Sequence, residues 1–168
     1  MVGFEDVWAI QQVKARYCRF LDTKDWPAWR ELFHDDLVFR MPPWREETGD
    51  EPPVVVGADA FVEYVSRQLE STLTCHHVHS PEITLVGADR ADVIWAMADF
   101  LDDVTNGRRV HGYGHYHERY VRAVGGDWQI AELTLTRLFV AVSEPSGAPG
   151  APPPYAIWDR PGGAASTG

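Results

Sequence analysis

Cysteine is scarce in this chain: Cys18 and Cys75 are the only two among 168 residues. Two thiols so far apart make no disulfide framework, so they read as free thiols of a reducing compartment. No apolar run approaches the roughly 18 residues of a spanning helix. The start MVGFEDVWAI carries acidic residues where a secretory leader would be basic. These two absences lead us to expect a cytoplasmic protein that does not partner a membrane. Positive charge is also in short supply. Fifteen Lys and Arg face 25 Asp and Glu, for a net charge of -10. With no basic patch to track phosphates, nucleic acid is not an expected partner. There is no internal repeat.

What is present suits one folded domain, with 45% hydrophobic and 24% charged residues. A domain of about 150 residues buries about 68–70% of its unfolded surface, enough for a core without covalent staples. Seven tryptophans suit either a deep core or a pocket for a flat apolar ligand. Val7, Ile10, Val13, Tyr17 and Leu21 recur every three or four positions, the stripe of an amphipathic helix over residues 4–21. DTKDW interrupts it, and Asp25 with Pro27 opens a second, short helix. A strand over 36–41 follows, then the proline-bracketed loop PPWREETGDEPP, a candidate mouth. A short strand over 54–56 and a helix over 59–69 come next. Four long strands are expected over 74–86, 91–101, 109–122 and 128–142, joined by GADR, DDVTNGR and VGGD. Helices first and strands after predict an α+β domain over residues 1–142, with a curved, mostly antiparallel sheet packed on the helices. Residues 143–168, rich in Pro and Gly, read as a partly extended or disordered tail.

Two strands break their own pattern. In ADVIWAMADFL the row Ala91, Val93, Trp95, Met97, Asp99, Leu101 is apolar except for Asp99. In the last strand Ala131, Leu133, Leu135, Arg137, Phe139 and Ala141 form an apolar row broken by Arg137. A buried carboxylate needs a partner. If both rows face the concave side, Asp99 and Arg137 share one polar island in an apolar cavity lined by Trp95, Met97 and Leu135. Otherwise the two merely pair at a rim. TCHHVHSPEI adds His76 on one face and Cys75, His77 and His79 on the other. A histidine held by a carboxylate is a usable general base, so an Asp99–His76 pair is expected. Tyr17 and Asp22 lie five apart on the first helix, about 140° of turn, and converge only if the helix ends near Asp22.

The segments IQQVKARYCRFLDTKDWPAWRELFHDDLVF, HHVHSPEITL, WAMADFL, GYGHYHERY and WQIAELTLTRLFV resemble the SnoaL-like branch of the nuclear-transport-factor-like superfamily. The resemblance runs over residues 5–142 and is closest to the bile-acid dehydratases, with the scytalone dehydratases next. It implies a cone of curved sheet around the first helix. It also implies catalytic roles for Tyr17, Asp22, His76, Asp99 and Arg137, and homodimers or homotrimers. His115 and His117, in GYGHYHERY, depart from the bile-acid enzymes, and His115 joins Trp95, Met97 and Leu135 as a substrate-contact candidate.

The expected function is acid–base lyase or isomerase chemistry, of dehydratase type, with no cofactor. The substrate would be a hydrophobic polycyclic or polyketide-like carbonyl compound. His76 would take the proton, oriented by Asp99; Tyr17 would donate to the developing oxyanion. Asp22 would protonate a departing hydroxyl, and Arg137 would balance the carboxylates. A polyketide cyclase and a non-catalytic binding protein are the alternatives. A metal held by the H-x-H pairs is a third, although no carboxylate stands at the usual distance. Neither cysteine has an activating motif.

Overall fold

The computed structural model describes residues 3–41, 54–122 and 126–143. The expected mouth loop at 42–53, residues 123–125 with the first half of the VGGD turn, and the tail beyond Ser143 lie outside the described residues. Helix α1 (Phe4–Thr23) buries Ile10, Val13, Tyr17 and Leu21, the predicted stripe. It stops at Lys24, whose left-handed backbone (φ 59°) returns its N–H to Leu21 O. Asp25 then caps α2 (Trp26–Arg30) by accepting the Ala28 N–H at 3.3 Å, with Pro27 in the first turn, where its missing N–H costs nothing.

β1 (Phe33–Arg40), β2 (Val54–Val56) and α3 (Ala58–Gln68) precede β3 (Thr72–Leu85), β4 (Arg90–Asp103), β5 (Arg108–Val121) and β6 (Gln129–Ser143). The sheet order is β2-β1-β6-β5-β4-β3, with β1 parallel to β6 and the other described pairs antiparallel. The sheet is open, and the helices lie against one face of it. Trp29 is fully buried at their junction, 5.3 Å from the Tyr17 ring, 4.8 Å from Phe33 and 5.2 Å from Phe61 between ring centres. The outer face carries an ionic ladder across four strands: Arg119 joins Asp92 at 3.0 Å and also Glu132, which stands 3.9 Å from Arg40.

β4 alternates as expected, with Ala91, Val93, Trp95, Met97 and Asp99 inward and buried. β6 does not. It carries an extra residue at Ala131 and another at Leu138, where the pairing with β5 slips. A bulge of one residue reverses the faces of everything beyond it. Ile130, Leu133 and Leu135 are therefore the buried row. The expected inward places of Phe139 and Ala141 are corrected to the outer face, where Phe139 packs 6.0 Å from Tyr113.

Candidate functional site

α1 crosses the inner face of β3, which sets Asp22, one residue from the helix end, over Thr74 and His76. Asp22 Oδ1 lies 2.6 Å from His76 Nδ1, and Oδ2 accepts the His76 backbone N–H at 2.9 Å. The Thr74 hydroxyl donates to Asp22 Oδ1 at 2.8 Å and accepts from Lys24 Nζ at 3.0 Å. The proton directions follow from the groups themselves. An ammonium only donates, so the single hydroxyl proton of Thr74 goes to Asp22. An acceptor carboxylate in turn requires the proton of the imidazole on Nδ1. In the neutral ring Nε2 then carries the lone pair, and it has no hydrogen-bond partner among the described residues.

This corrects the expected pairing. His76 and Asp99 do stand opposite each other on neighbouring strands, yet both Asp99 oxygens are taken by Arg137, Nη1 to Oδ1 at 2.9 Å and Nη2 to Oδ2 at 2.6 Å. The fork crosses β5 at Gly112, where any Cβ would collide with the guanidinium and the Asp99 carboxylate. A side chain there would force the fork to shift. Arg137 Nη1 also sits 3.7 Å from Met97 Sδ. Asp22, surrounded by three donors, is placed to accept rather than to protonate a leaving group.

Tyr17 lies deeper, 3% exposed, between Trp29 and Tyr116. Burial pushes its phenol well above the usual range, with the neighbouring Tyr116 adding to the effect. The Tyr116 phenol is raised in the same way, first by burial and then by the charge of Asp99. Both hydroxyls thus keep their protons and remain donors. Trp95, Met97 and Leu135 are buried on the same inner surface. His115 is not: it faces outward with His117, their rings 6.2 Å apart, so its expected contact with a substrate in the cone is set aside.

Alternation in GYGHYHERY puts Gly112, Gly114, Tyr116, Glu118 and Tyr120 inward, and these were missed. The histidines of that segment are its conspicuous residues, but they occupy the other face. Glu118 forms a buried ion pair with Lys14 of α1 at 2.5 Å and accepts the Tyr120 hydroxyl at 2.6 Å. The Lys14 ammonium is held between the rings of Tyr17 and Tyr116, 3.8 and 3.6 Å from their centres. Lys14 hides in the apolar stripe, where periodicity sees only its neighbours. Among the described residues no three His, Cys, Asp or Glu side chains gather as a metal site.

The model of the SnoaL-like domain matches residues 3–134, nearly the whole described cone. The chain belongs to the SnoaL-like family. One family relative, named "Probable cyclase FGR4", from Gibberella zeae, is 28% identical over 135 residues, covering 77% of this chain and 89% of its own. The fold is also that of a Novosphingobium aromaticivorans structure named "Putative Scytalone Dehydratase", with TM-score 0.69 and 18% identity over 90% of this chain and 95% of that one. A hexachlorocyclohexane dehydrochlorinase of Novosphingobium barchaimii shares it with TM-score 0.67 and 16% identity over 86% and 93%. Those two likenesses are of fold, and a shared fold does not fix the reaction carried out on it.

Proposed function

We propose that the chain is a cofactor-independent lyase or isomerase, of dehydratase type, acting on a hydrophobic polycyclic or polyketide-like carbonyl compound. The observation that carries this reading is the Asp22–His76 pair, whose Nε2 has no hydrogen-bond partner among the described residues, on an inner surface it shares with Trp95, Met97 and Leu135. His76 Nε2 takes a proton from the carbon next to the carbonyl, and Asp22 stabilises the imidazolium that results. Tyr17 and Tyr116 donate to the oxygen where negative charge grows, the electrostatic term that dominates enolate formation. The Arg137–Asp99 fork holds the remaining charge of the wall in place. The imidazolium then passes its proton to a departing hydroxyl, or back to a more distant carbon; the first course is dehydration and the second is isomerisation. The name of the Gibberella zeae relative favours a further outcome of the same first step, in which the enolate carbon attacks a second carbonyl and closes a ring.

Because the three outcomes share the proton abstraction, the test reads that step. A panel of steroid enones and hydroxylated polyketide ketones is incubated with the protein in D2O and followed by mass spectrometry. We expect deuterium at the α-carbon, or loss of water, with at least one compound. His76→Ala should lower the rate by about 10²–10⁴-fold, the usual contribution of a positioned base, with an unchanged circular dichroism spectrum. Full activity in that variant would remove His76 from the reaction.

A further inference from the structure

A histidine base depends on the carboxylate that holds it, and Asp22 is poorly placed to hold still. It stands in the last turn of α1, where a helix presents its free carbonyls and its negative end. That turn carries no basic residue. The Asp22 side chain is 22% exposed, against 7% for His76, so water reaches it. A carboxylate there needs a counter-charge and anchors from outside its own helix. Lys24, one residue beyond the helix end, is the cation nearest to it in sequence.

Lys24 occupies a position that glycine usually fills. With φ at 59°, it closes the helix by returning its N–H to Leu21 O and Phe20 O. Glycine enters this left-handed region freely, whereas a Cβ crowds the following carbonyl. Among the described residues only one other non-glycine, Ser80, has a positive φ. A lysine that served only to end the helix would be worse than glycine, so the strained backbone directs attention to the side chain. Lys24 Nζ donates to Thr74 Oγ1 at 3.0 Å, and Thr74 donates to Asp22 Oδ1 at 2.8 Å. That oxygen is the one 2.6 Å from His76 Nδ1. The Trp26 ring, its centre 5.7 Å from the ammonium, holds Lys24 from a second side.

We propose that Lys24 and Thr74 are positioning residues of the Asp22–His76 pair, an inference that rests on the reading of His76 as the base. The ammonium has no lone pair, so it turns the Thr74 hydroxyl proton toward Asp22. That hydroxyl fixes Oδ1, and the His76 backbone N–H fixes Oδ2. A carboxylate anchored at both oxygens offers one steady acceptor to Nδ1. Which ring nitrogen carries the proton is set by the bond the other makes, so the anchored carboxylate keeps the neutral imidazole in one tautomer with Nε2 as its basic atom. The charge of Lys24 also offsets the negative helix end beside Asp22. Neither residue touches the substrate in this scheme; both act through His76.

The experiment compares Lys24→Gly, Lys24→Arg, Thr74→Val and Thr74→Ser with the wild-type full chain. Lys24→Gly removes the ammonium and relieves the backbone, so its urea midpoint should equal or exceed that of the wild type. Its kcat for deuterium uptake in D2O should nevertheless fall by about tenfold to 10²-fold with KM little changed, the scale on which slight misplacement of a reacting group costs rate. Thr74→Val should lose as much. Thr74→Ser and Lys24→Arg, which keep a donor, should retain most of the rate. Nitrogen-15 NMR of the histidine-labelled, substrate-free protein reads the same device without turnover, the His76 signals being assigned by their loss in His76→Ala. At a pH where the ring is neutral, the wild type should show the Nδ1–H form alone, and Lys24→Gly and Thr74→Val should add the Nε2–H form. An unchanged kcat in those two variants, or an unchanged tautomer, would overturn the proposal. A midpoint that falls together with kcat in Lys24→Gly would make the lysine structural and overturn its positioning role. If the wild type turns over no compound, a second tautomer in the variants upholds the positioning and sinks the reaction assigned to the pair instead.

Discussion

Asp99, the residue that looked misplaced in its strand, has its answer in Arg137, and Asp22 has His76. The two pairings differ in kind. The Arg137–Asp99 fork is bidentate, nearly buried and complete, so it holds a wall. The Asp22–His76 pair leaves His76 Nε2 without a partner among the described residues, which is what the proposed base requires. Gly112 makes the first pairing possible by having no side chain. Gly112→Ala should drive the guanidinium off Asp99 and leave a buried carboxylate without its partner. We expect a loss of about 3–5 kcal/mol, the usual cost of breaking a buried pair from one side, read as a lower urea midpoint. An unchanged midpoint would show that the fork can shift around a methyl group.

At the scale of elements, the question is what ties α1 to the far strands of the sheet. Asp22 reaches β3 through His76 and Thr74, while Lys14 reaches β5 through Glu118, with the Tyr17 and Tyr116 rings closing over the ammonium. Lys14→Met should cost about 3–5 kcal/mol, because Glu118 is left charged and dry. Adding Glu118→Gln should recover part of that loss, and urea unfolding of the single and double variants measures the coupling. The elements themselves were legible. The stripe of α1, the Asp25–Pro27 start of α2 and the alternation of β4 all lie in local sequence, and each is observed within a few residues. The faces of β6 were not. Bulges at Ala131 and Leu138 depend on how β6 pairs with β5, a non-local matter that a period of two cannot reveal.

For the molecule as a whole, burial sets the response to alkali. Cys18 sits against the core, and burial pushes its thiol from 9.0 to about 11, only partly offset by Lys14. The phenols of Tyr17, Tyr116 and Tyr120 are raised as well, burial again coming first. The sign is the same for all four. The folded state holds the proton more tightly than the unfolded one, so this stability is intact below the unfolded value and is lost as pH rises through the folded one. For Cys18 the window is pH 9 to 11, a loss of about 3 kcal/mol at roughly 1.4 kcal/mol per unit. Urea midpoints measured across that window should fall, and Cys18→Ala should flatten the lower part of the fall. A flat profile in the wild type would mean that the thiol is wetter than its place in the fold implies.

The sequence alone determined the class of fold, the order of its helices and strands, and the residue types that carry chemistry. Those features are written in short-range periodicity, caps and turns, and in charges that interrupt apolar rows. Only the tertiary structure decided which charge answers which. His76 stands opposite Asp99 in the sheet but bonds to Asp22, because a helix end lies over one strand and an arginine crosses a glycine to occupy the other carboxylate. It also decided that His115 faces away from the cone and that Lys14 and Glu118 meet inside it. Partner choice among charges is settled by distance and by exclusion of water, and both exist only once the chain has folded.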